Sequence, residues 1–332
     1  EEFVMPEIVD LVTQKIKADY PEGVIYQESK EDLRNLPTYS TGILSFDQMI
    51  NKDHKGIPTG RTMEIFGNPA AGKSTLALHL AADVHQKGGI VVYEDLENAL
   101  SLDIAEKIGV KVDSPQFIIT HPEDGDQALK IAENYIRAGE VGLVVIDSIA
   151  ALVPAKESTE DGMGKPQMGG QARMLSQFLR VATSLLSRPK NKTLLVLLNQ
   201  TRMNISGYGN PNTTSGGKAP QFYASIRVEV KMKEILRDAG ESYGQLVNMK
   251  TVKNKIGRPW QETDVVLRFG EGFDVVSDVI HLADAFGIIV KKGAWYQYGE
   301  ERFQGEDNLR QWIIDHRKFE TLKEQVLSVG TK

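Results

Sequence analysis

The sequence contains no cysteine, which excludes disulfide bonds and thiolate metal sites. This absence fits a reducing compartment, and we expect a cytoplasmic protein. No apolar run approaches the length of about 20 residues that a membrane helix needs. The N-terminal residues do not show a basic stretch followed by an apolar one, which is the pattern of a secretion signal. We therefore expect no membrane partner. Basic residues are not in excess either, because the formal net charge is −6. That sum argues mildly against a nucleic-acid partner, although a local basic surface matters more.

The sequence does contain enough apolar residues for a sizeable core. Of its 332 residues, 41% are hydrophobic, which is ordinary for a globular chain. Between residues 62 and 199, strand-like runs such as "IVVYE" and "LVVID" alternate with segments of helical period. Buried β-branched runs that alternate with helices indicate a parallel sheet covered on both faces, and hence an α/β fold.

The pattern changes twice along the chain, which predicts three parts. Residues 1–36 hold an amphipathic helix over 7–19 and a short strand. Residues 37–271 form the α/β core, whose last strands follow one another directly. Residues 272–332 return to helical patterns around the short segment "GAWYQY", and we expect a small C-terminal α+β domain there.

The stretch "GNPAAGKS" follows the strand-like run "TMEIF" and opens a helical segment. This is the context that a Gly-x4-Gly-Lys-Ser phosphate loop requires. Backbone N–H groups of such a loop wrap phosphates, and the helix N-terminus adds positive potential. Lys73 is predicted to reach the β- and γ-phosphates and Ser74 to ligate Mg²⁺; the alternative is a chance match in a glycine-rich turn. The loop residues predicted to bind nucleotide are Gly67, Asn68, Pro69, Ala70, Ala71, Gly72, Lys73, Ser74 and Thr75.

Carboxylates end two of the predicted strands, at the edge where open α/β sheets bind their ligands. Asp147 ends "LVVID" and is predicted to bind nucleotide and Mg²⁺, although an aspartate at this point can also cap a turn. Hydrolysis needs a further group that orients or deprotonates water. Glu94, Asp95 and Glu97 close the run "IVVYEDLEN". Their spacing does not choose among them, and at least one is expected to lie in a solvated acidic turn.

The stretch "NISGYGNPNTTSGGK", residues 204–218, is rich in glycine, asparagine and hydroxyl side chains. Such residues favour turns, so the stretch does not fit one helix or one strand. Long loops inside compact domains are uncommon and are usually functional or disordered. Residues 201–233 carry five basic residues and one acidic residue, which predicts a local positive surface despite the acidic total.

Seven strings of the sequence resemble the bacterial RecA-type family of DNA strand-exchange recombinases, between about Leu44 and Tyr298. They are "EIFGNPAAGKSTL", "VVIDSIAALVP", "MGGQARMLSQ", "LLNQTRM", "GNPNTTSGGKAPQFYASIR", "VKNKI" and "GAWYQY". The resemblance implies a RecA-like P-loop NTPase core with ATP and Mg²⁺ as cofactors. It also implies a DNA-dependent ATPase that pairs single-stranded DNA with homologous duplex DNA, in which Glu97 activates water and Gln200 senses the γ-phosphate.

The resemblance further implies that two segments, residues 160–170 and 201–218, line a filament axis and hold single-stranded DNA. Glycines let backbone N–H groups approach phosphates, and apolar side chains wedge between bases. The alternative is a disordered surface linker. The predicted wedges are Met168, Ile205 and Tyr208, and the predicted phosphate contacts are Arg173, Arg180, Arg202 and Lys218. The predicted DNA-binding set is completed by Gly169, Gly170, Met203, Gly216 and Gly217.

Contacts between subunits of a head-to-tail filament are implied as well. Lys253 and Lys255 lie two apart in a strand-like run, hence on one face. In the family such lysines reach the neighbouring subunit's ATP; the alternative is a solvated basic edge. Phe222 matches an interface aromatic, although it also fits a plain core position. The strand expected to dock onto the next subunit is Val24, Ile25 and Tyr26.

Some positions depart from the family pattern. Ile104 stands where the family usually has a tyrosine stacked on adenine, and Ser101 where it has an aspartate, so the nucleotide preference stays open. The segment "GEDNLRQW" is acidic where the family tends to carry a basic duplex-binding residue, although Lys291 and Lys292 remain nearby. The sequence also leaves open the true N-terminus, a bacterial, phage or organellar source, and whether a self-cleaving repressor is a partner.

An ATP-dependent homologous recombinase is therefore the predicted function. One alternative is a nucleotide-switched filament that mainly presents a surface to other proteins. Another is a hexameric helicase with the same core, which lacks support because no separate loading domain is recognisable in the sequence.

Overall fold

The computed structural model describes residues 7–19, 37–51, 56–155, 169–188, 190–203 and 212–330. The helices of these parts are α1 Glu7–Asp19, α2 Leu44–Ile50, α3 Lys73–Gln86, α4 Leu102–Ile108, α5 Gly125–Ala138, α6 Gly170–Leu186, α7 Ala219–Tyr223, α8 Val275–Ala285, α9 Glu306–Asp315 and α10 Phe319–Gly330. No described helix has the length and apolar character that crossing a membrane requires.

The strands follow the sequence pattern closely. They are β1 Thr38–Tyr39, β2 Ile57–Pro58, β3 Arg61–Gly67, β4 Val91–Asp95, β5 Phe117–Thr120, β6 Leu143–Asp147, β7 Leu194–Met203, β8 Asn212–Thr214, β9 Ile226–Asp238, β10 Glu241–Asn254, β11 Glu262–Arg268, β12 Gly272–Phe273, β13 Ile289–Lys292, β14 Trp295–Tyr298 and β15 Glu301–Gln304. The predicted strand Val24, Ile25 and Tyr26 lies outside the described residues.

One large sheet organises the molecule, in the order β12-β11-β10-β9-β3-β7-β6-β4-β5. The strands from β9 to β5 run parallel to one another, whereas β10, β11 and β12 continue the sheet in antiparallel fashion. Strand β8 pairs with the end of β7. The parallel strands therefore bring their carboxyl ends to one edge.

Both faces of the sheet are covered, as alternation along β4 illustrates. Val91 and Tyr93 belong to the apolar core beneath α3 and α4. Val92 belongs to the opposite core beneath α5 and α6. Because successive strand residues point to opposite faces, a run that is apolar throughout fits this double burial. The predicted α/β fold with a mostly parallel central sheet is confirmed.

The C-terminal part, from α8 to α10, builds a third core around the antiparallel sheet β13-β14-β15. Asp274, directly before α8, accepts hydrogen bonds from Arg268 of β11 and Arg310 of α9. Its other carboxylate oxygen caps α8 at Ser277 N. One buried carboxylate thus ties the end of the large sheet to the first and second helices of this part. The exact boundaries between the three predicted parts stay a prediction.

Candidate functional site

The loop between β3 and α3 forms the centre of the site. Gly72 precedes α3 with φ of 96°, in the left-handed region that favours glycine. A Cβ at Gly72 would come within 2.8 Å of Leu267 Cδ1 and 3.0 Å of Phe273 Cζ. The loop therefore packs its backbone directly on β11 and β12. Gln245 of β10 supports it too, since its Nε2 donates to Ala70 O at 2.9 Å.

Lys73 begins α3 and turns back over this loop. Its Nζ donates to Asn68 O at 2.8 Å, so the ammonium lies where the loop encloses it. Burial lowers the pKa of Lys73, while the charges of Asp147 and Glu97 act in the opposite direction. A cation at a helix N-terminus, enclosed by backbone amides, is the arrangement that binds phosphate.

Ser74, Tyr93 and Asp147 form a hydroxyl–carboxylate cluster beside Lys73. Ser74 Oγ donates to Asp147 Oδ2 at 2.7 Å. Tyr93 OH donates to the same oxygen at 2.5 Å. Burial raises the pKa of Asp147, the two hydroxyl donors lower it, and the nearby carboxylates of Glu97 and Asp95 raise it further. A hydroxyl and a carboxylate beside a phosphate loop are oxygen donors of the kind that Mg²⁺ prefers.

The three carboxylates that spacing did not separate have different surroundings. Glu94 is fully buried, and neither of its oxygens has a hydrogen-bond partner among the described residues. Burial raises its pKa to about 8. Asp95 accepts from the backbone N–H groups of Ala99 and Leu100, each at 3.1 Å, and so holds a turn. Glu97 alone has its carboxylate exposed in the cleft.

Glu97 is held by two side chains from neighbouring strand ends. Gln200 Nε2 of β7 donates to Glu97 Oε1 at 2.7 Å. Ser148 Oγ, directly after β6, donates to the same oxygen. Neither of these two hydrogen bonds involves the second carboxylate oxygen, Oε2. The strand ends of β4, β6 and β7 thus converge on one carboxylate beside Lys73.

The buried polar residues next to Gln200 fix the end of β7. Asn199 Nδ2 donates to Glu64 Oε1 at 2.8 Å and to Ser215 O at 3.0 Å. Arg227 forms an ion pair with Glu64 from the adjacent β9. Within the sheet, Gln200 stands opposite Gly67, the first residue of the phosphate loop. This register places the predicted sensor beside the predicted phosphate site.

The described end of the 201–218 segment packs on α6, the helix that begins at the end of the 160–170 segment. Gly216 and Gly217 have φ of 80° and 71°. A Cβ at Gly216 would come within 2.5 Å of Leu175 Cδ2, and one at Gly217 within 2.9 Å of Ala172 Cβ. These two glycines are therefore required for close packing on α6, a constraint that sequence reasoning assigned to phosphate contact alone.

Exposed cations lie on both elements that make this contact. Arg173 and Arg180 of α6 are exposed, as is Lys218 directly before α7. Gly169 caps the start of α6 with φ of 79°, and Gly170 is its first residue. The remaining predicted DNA contacts lie outside the described residues or have side chains outside them. They are Met168, Ile205 and Tyr208, and the side chains of Arg202 and Met203.

The predicted interface residues lie on the antiparallel side. Lys253 Nζ donates to the carbonyl oxygens of Gln221 and Phe222, at 2.7 and 2.9 Å. Burial lowers the pKa of Lys253, and the charges of Lys255 and Arg227 lower it further. Strand β10 ends at Asn254, so Lys255 follows the strand rather than lying within it. Phe222 is 69% exposed, which excludes the core position that the sequence left open.

Sequence reasoning missed three side chains of the site, those of Tyr93, Ser148 and Thr201. Tyr93 and Ser148 contact Asp147 and Glu97, and Asn68 contacts Thr201. Tyr93 stands two residues before Asp95 on an apolar strand, where the pattern indicated only core. The signal that could have found it is its hydroxyl at the ligand-binding end of a parallel strand.

Comparisons with known proteins agree with this geometry. The family model for the RecA N-terminal domain matches residues 7–274, and that for the RecA C-terminal domain matches residues 277–328. Among similar proteins is Protein RecA of Syntrophus aciditrophicus, 41% identical over 93% of this chain and 89% of that protein. Others are Protein RecA of Oleidesulfovibrio alaskensis, 38% identical over 97% and 90%, and Protein RecA of Aquifex pyrophilus, 39% identical over 93% and 87%.

The two family models together cover the phosphate loop, the strand ends around Glu97 and the C-terminal part. The family predicted from the sequence is confirmed, and with it the recombinase function. The alternative of a filament that acts mainly as a signalling scaffold gains no support. This chain belongs to the RecA family of recombinases, DNA-dependent ATPases that bind DNA, assemble into filaments and catalyse strand exchange.

Proposed function

We propose that this chain binds ATP with Mg²⁺ at the loop from Gly67 to Thr75 and at Asp147, and that Glu97 activates the attacking water. The observation that carries this proposal is the convergence of Gln200 and Ser148 on Glu97 Oε1, beside the phosphate loop. A carboxylate that is oriented by fixed donors and open to the cleft is suited to orient or deprotonate water.

Binding of the phosphates is assigned to the loop and Lys73. The loop residues are held from behind by Gln245, Leu267 and Phe273, so their backbone N–H groups are organised before ligand arrives. Phosphate oxygens attract the Lys73 ammonium more strongly than the neutral carbonyl of Asn68 does, because charge-assisted hydrogen bonds are the stronger kind. Lys73 therefore moves its contact from Asn68 to the β- and γ-phosphates.

Ser74 and Asp147 are the proposed magnesium ligands. Their oxygens are 2.7 Å apart, and Tyr93 donates to the same carboxylate oxygen of Asp147. The cluster supplies a hydroxyl and a carboxylate, which is the hard oxygen chemistry that this cation requires. When bound, Mg²⁺ neutralises charge on the phosphate oxygens. The burial that raises the pKa of Asp147 also makes its carboxylate a site that gains from a cation.

The DNA partners proposed are single-stranded DNA and homologous double-stranded DNA. The two predicted loop segments, residues 160–170 and 201–218, supply the single-strand site. In support, Gly216 and Gly217 pack on α6, so that exposed Arg173 and Lys218 border the same region. Cations of this kind contact phosphates without reading sequence.

Assembly is proposed to be head-to-tail, with Lys253 and Lys255 reaching the neighbouring subunit's ATP. Lys253 lies beside exposed Phe222 and is held by its carbonyl oxygen. A large exposed aromatic next to a cationic pair fits a subunit contact better than a solvated strand edge does. The strand Val24, Ile25 and Tyr26 is the further proposed docking element.

The proposed division of the chain is residues 1–36, 37–271 and 272–332. The separate core of the C-terminal part supports the last boundary, because residue 272 lies two positions before the Asp274 junction. We place the protein in the cytoplasm. A self-cleaving repressor is a further predicted partner, and cleavage of such a repressor in the presence of assembled filament is the measurement that tests it.

One assay tests the central activity: ATP hydrolysis measured with and without single-stranded DNA. Turnover that rises on addition of single strands is expected, together with strand exchange between labelled oligonucleotides. Turnover without any response to DNA would contradict the assigned loops. Electron microscopy distinguishes the filament from a helicase-like ring.

A further inference from the structure

Asn68 in the phosphate loop and Thr201 in β7 form a direct side-chain contact. Thr201 Oγ1 donates to Asn68 Oδ1 at 2.5 Å. The sheet register explains the contact, because Gly67 of β3 stands opposite Gln200 of β7. The residues that follow these two, Asn68 and Thr201, therefore lie side by side, although 133 positions separate them in sequence.

Asn68 also contacts the catalytic lysine. Its backbone carbonyl accepts from Lys73 Nζ at 2.8 Å, while its side chain accepts from Thr201. One residue thus joins the cation that binds phosphate to the strand that leads towards residue 204. When phosphate attracts the ammonium away from Asn68 O, the backbone on which the Thr201 contact depends loses one of its two attachments.

Thr201 is positioned to pass on such a change. Within β7 it follows Gln200, and successive strand side chains leave on opposite faces. Gln200 contacts Glu97 and Thr201 contacts Asn68, so the two contacts leave the strand on different sides. Thr201 also pairs with Thr214 of β8, a strand that lies within the 201–218 segment.

We propose that the Asn68–Thr201 hydrogen bond is a positioning contact, which transmits nucleotide binding from the phosphate loop to the 201–218 segment separately from Gln200. The inference rests on the proposed role of that segment in holding single-stranded DNA. Thr201 acts through its contact with Asn68 and is assigned no part in the chemical step.

The expected size of the effect follows from the contact itself. A net contribution typical of a single hydrogen bond corresponds to about a 3- to 10-fold change in an equilibrium constant. Coupling between two ligands is the ratio of the affinities measured with and without the second ligand. Removal of the Thr201 hydroxyl should therefore lower the ratio of DNA affinities, measured with and without nucleotide, by about 3- to 10-fold.

The experiment compares three variants by fluorescence anisotropy with a labelled oligothymidylate, with and without a slowly hydrolysed ATP analogue. Thr201→Val removes the hydroxyl at nearly constant volume, and Thr201→Ser keeps it. Thr193→Val is the matched control, since Thr193 directly precedes β7 and its buried hydroxyl has no partner among the described residues. We expect a reduced coupling ratio for Thr201→Val and the parent's ratio for Thr201→Ser and Thr193→Val.

A double-mutant cycle identifies the partner. Asn68→Ala should lower the coupling ratio as Thr201→Val does, and the double variant should lower it no further, because both remove one contact. An unchanged ratio in Thr201→Val, an equal loss in Thr201→Ser, or additive losses in the double variant would overturn the inference. If the DNA affinity of the parent protein is the same with and without nucleotide, the proposed function is overturned, and this inference with it.

Discussion

The parallel and antiparallel halves of the large sheet make different contributions to the site. In the parallel half, the ends of β4, β6 and β7 supply Glu97, Asp147 and Gln200, all within hydrogen-bonding reach of a neighbour in the cleft. In the antiparallel half, β10 and β11 support the back of the phosphate loop through Gln245 and Leu267. Within one subunit, the proposed reacting groups therefore lie at the parallel half, and the antiparallel half supports the loop that binds phosphate.

The cations of the two halves differ in the same way. Lys73 is enclosed by the phosphate loop and faces two carboxylates. Lys253 is held by carbonyl oxygens next to exposed Phe222, and the charges nearest to it include those of Lys255 and Arg227. The first arrangement suits a nucleotide bound by the same subunit. The second fits the proposal that Lys253 reaches a neighbouring subunit's nucleotide, in an active site completed by assembly.

The largest expected effect concerns the parallel half. Glu97→Gln should bind ATP and single-stranded DNA but lower the turnover number by about 10²- to 10⁴-fold, because positioning survives while water activation is lost. Steady-state ATPase kinetics measure this change. Asp95→Asn is the control and should be milder, since Asp95 holds a turn. Near-normal turnover of Glu97→Gln would move the role to another carboxylate.

A second prediction concerns Glu94, which lies on β4 in the parallel half of the sheet and is buried in the core. Its pKa is raised from 4.5 to about 8 by burial. The folded state therefore holds the proton more tightly than the unfolded chain does. The resulting stability is complete below pH 4.5 and is lost as the pH rises towards about 8.

Glu94→Gln does not titrate in this window, so its free energy of unfolding should lack that decline. Urea unfolding at a series of pH values from 5 to 9 measures the difference, which should reach a few kcal/mol in favour of the variant at the alkaline end. Glu140→Gln, at a solvent-exposed side chain, should follow the parent. Parallel pH profiles for the parent and Glu94→Gln would show that this carboxylate is solvated.

The smallest expected effect is at the DNA surface. Lys218→Ala and Arg202→Ala should each weaken single-stranded DNA binding several-fold, with similar loss across sequences. Each should also reduce the slope of log affinity against log salt by about 0.7 per lost phosphate contact. Lys192→Ala is the matched control, because Lys192 is exposed beside Glu140 and precedes the start of β7, at the opposite end of that strand from the loop. An unchanged salt slope in both variants would contradict the assigned DNA segment.

Much of the parallel half was predictable from the sequence. Its strands are apolar throughout because both faces are covered, and the phosphate loop is fixed by local chain geometry in a strand–loop–helix context. The choice among Glu94, Asp95 and Glu97 was not predictable from spacing. Alternation along a strand gives opposite faces but does not say which face opens to the ligand.

Contacts between strands that are distant in sequence could not be predicted from the sequence either. The Asn68–Thr201 and Gln200–Glu97 contacts depend on the register of parallel strands that are more than 100 positions apart in sequence. Crossover connections of that length leave no local signal for register. The resemblance to a family supplied the predicted role of Gln200, whereas the contact between Asn68 and Thr201 became visible only in the structure.

Mixing two inactive variants tests the shared site most directly. Lys73→Ala and Lys253→Ala should each abolish ATP hydrolysis, while Lys250→Ala, on the same strand and paired with Glu262, should not. If Lys253 acts on the neighbour's nucleotide, about a quarter of the junctions in a random equal mixture combine both intact lysines. The account predicts that hydrolysis returns on mixing, and only with single-stranded DNA present. Co-assembled variants that stay inactive at every ratio would contradict it.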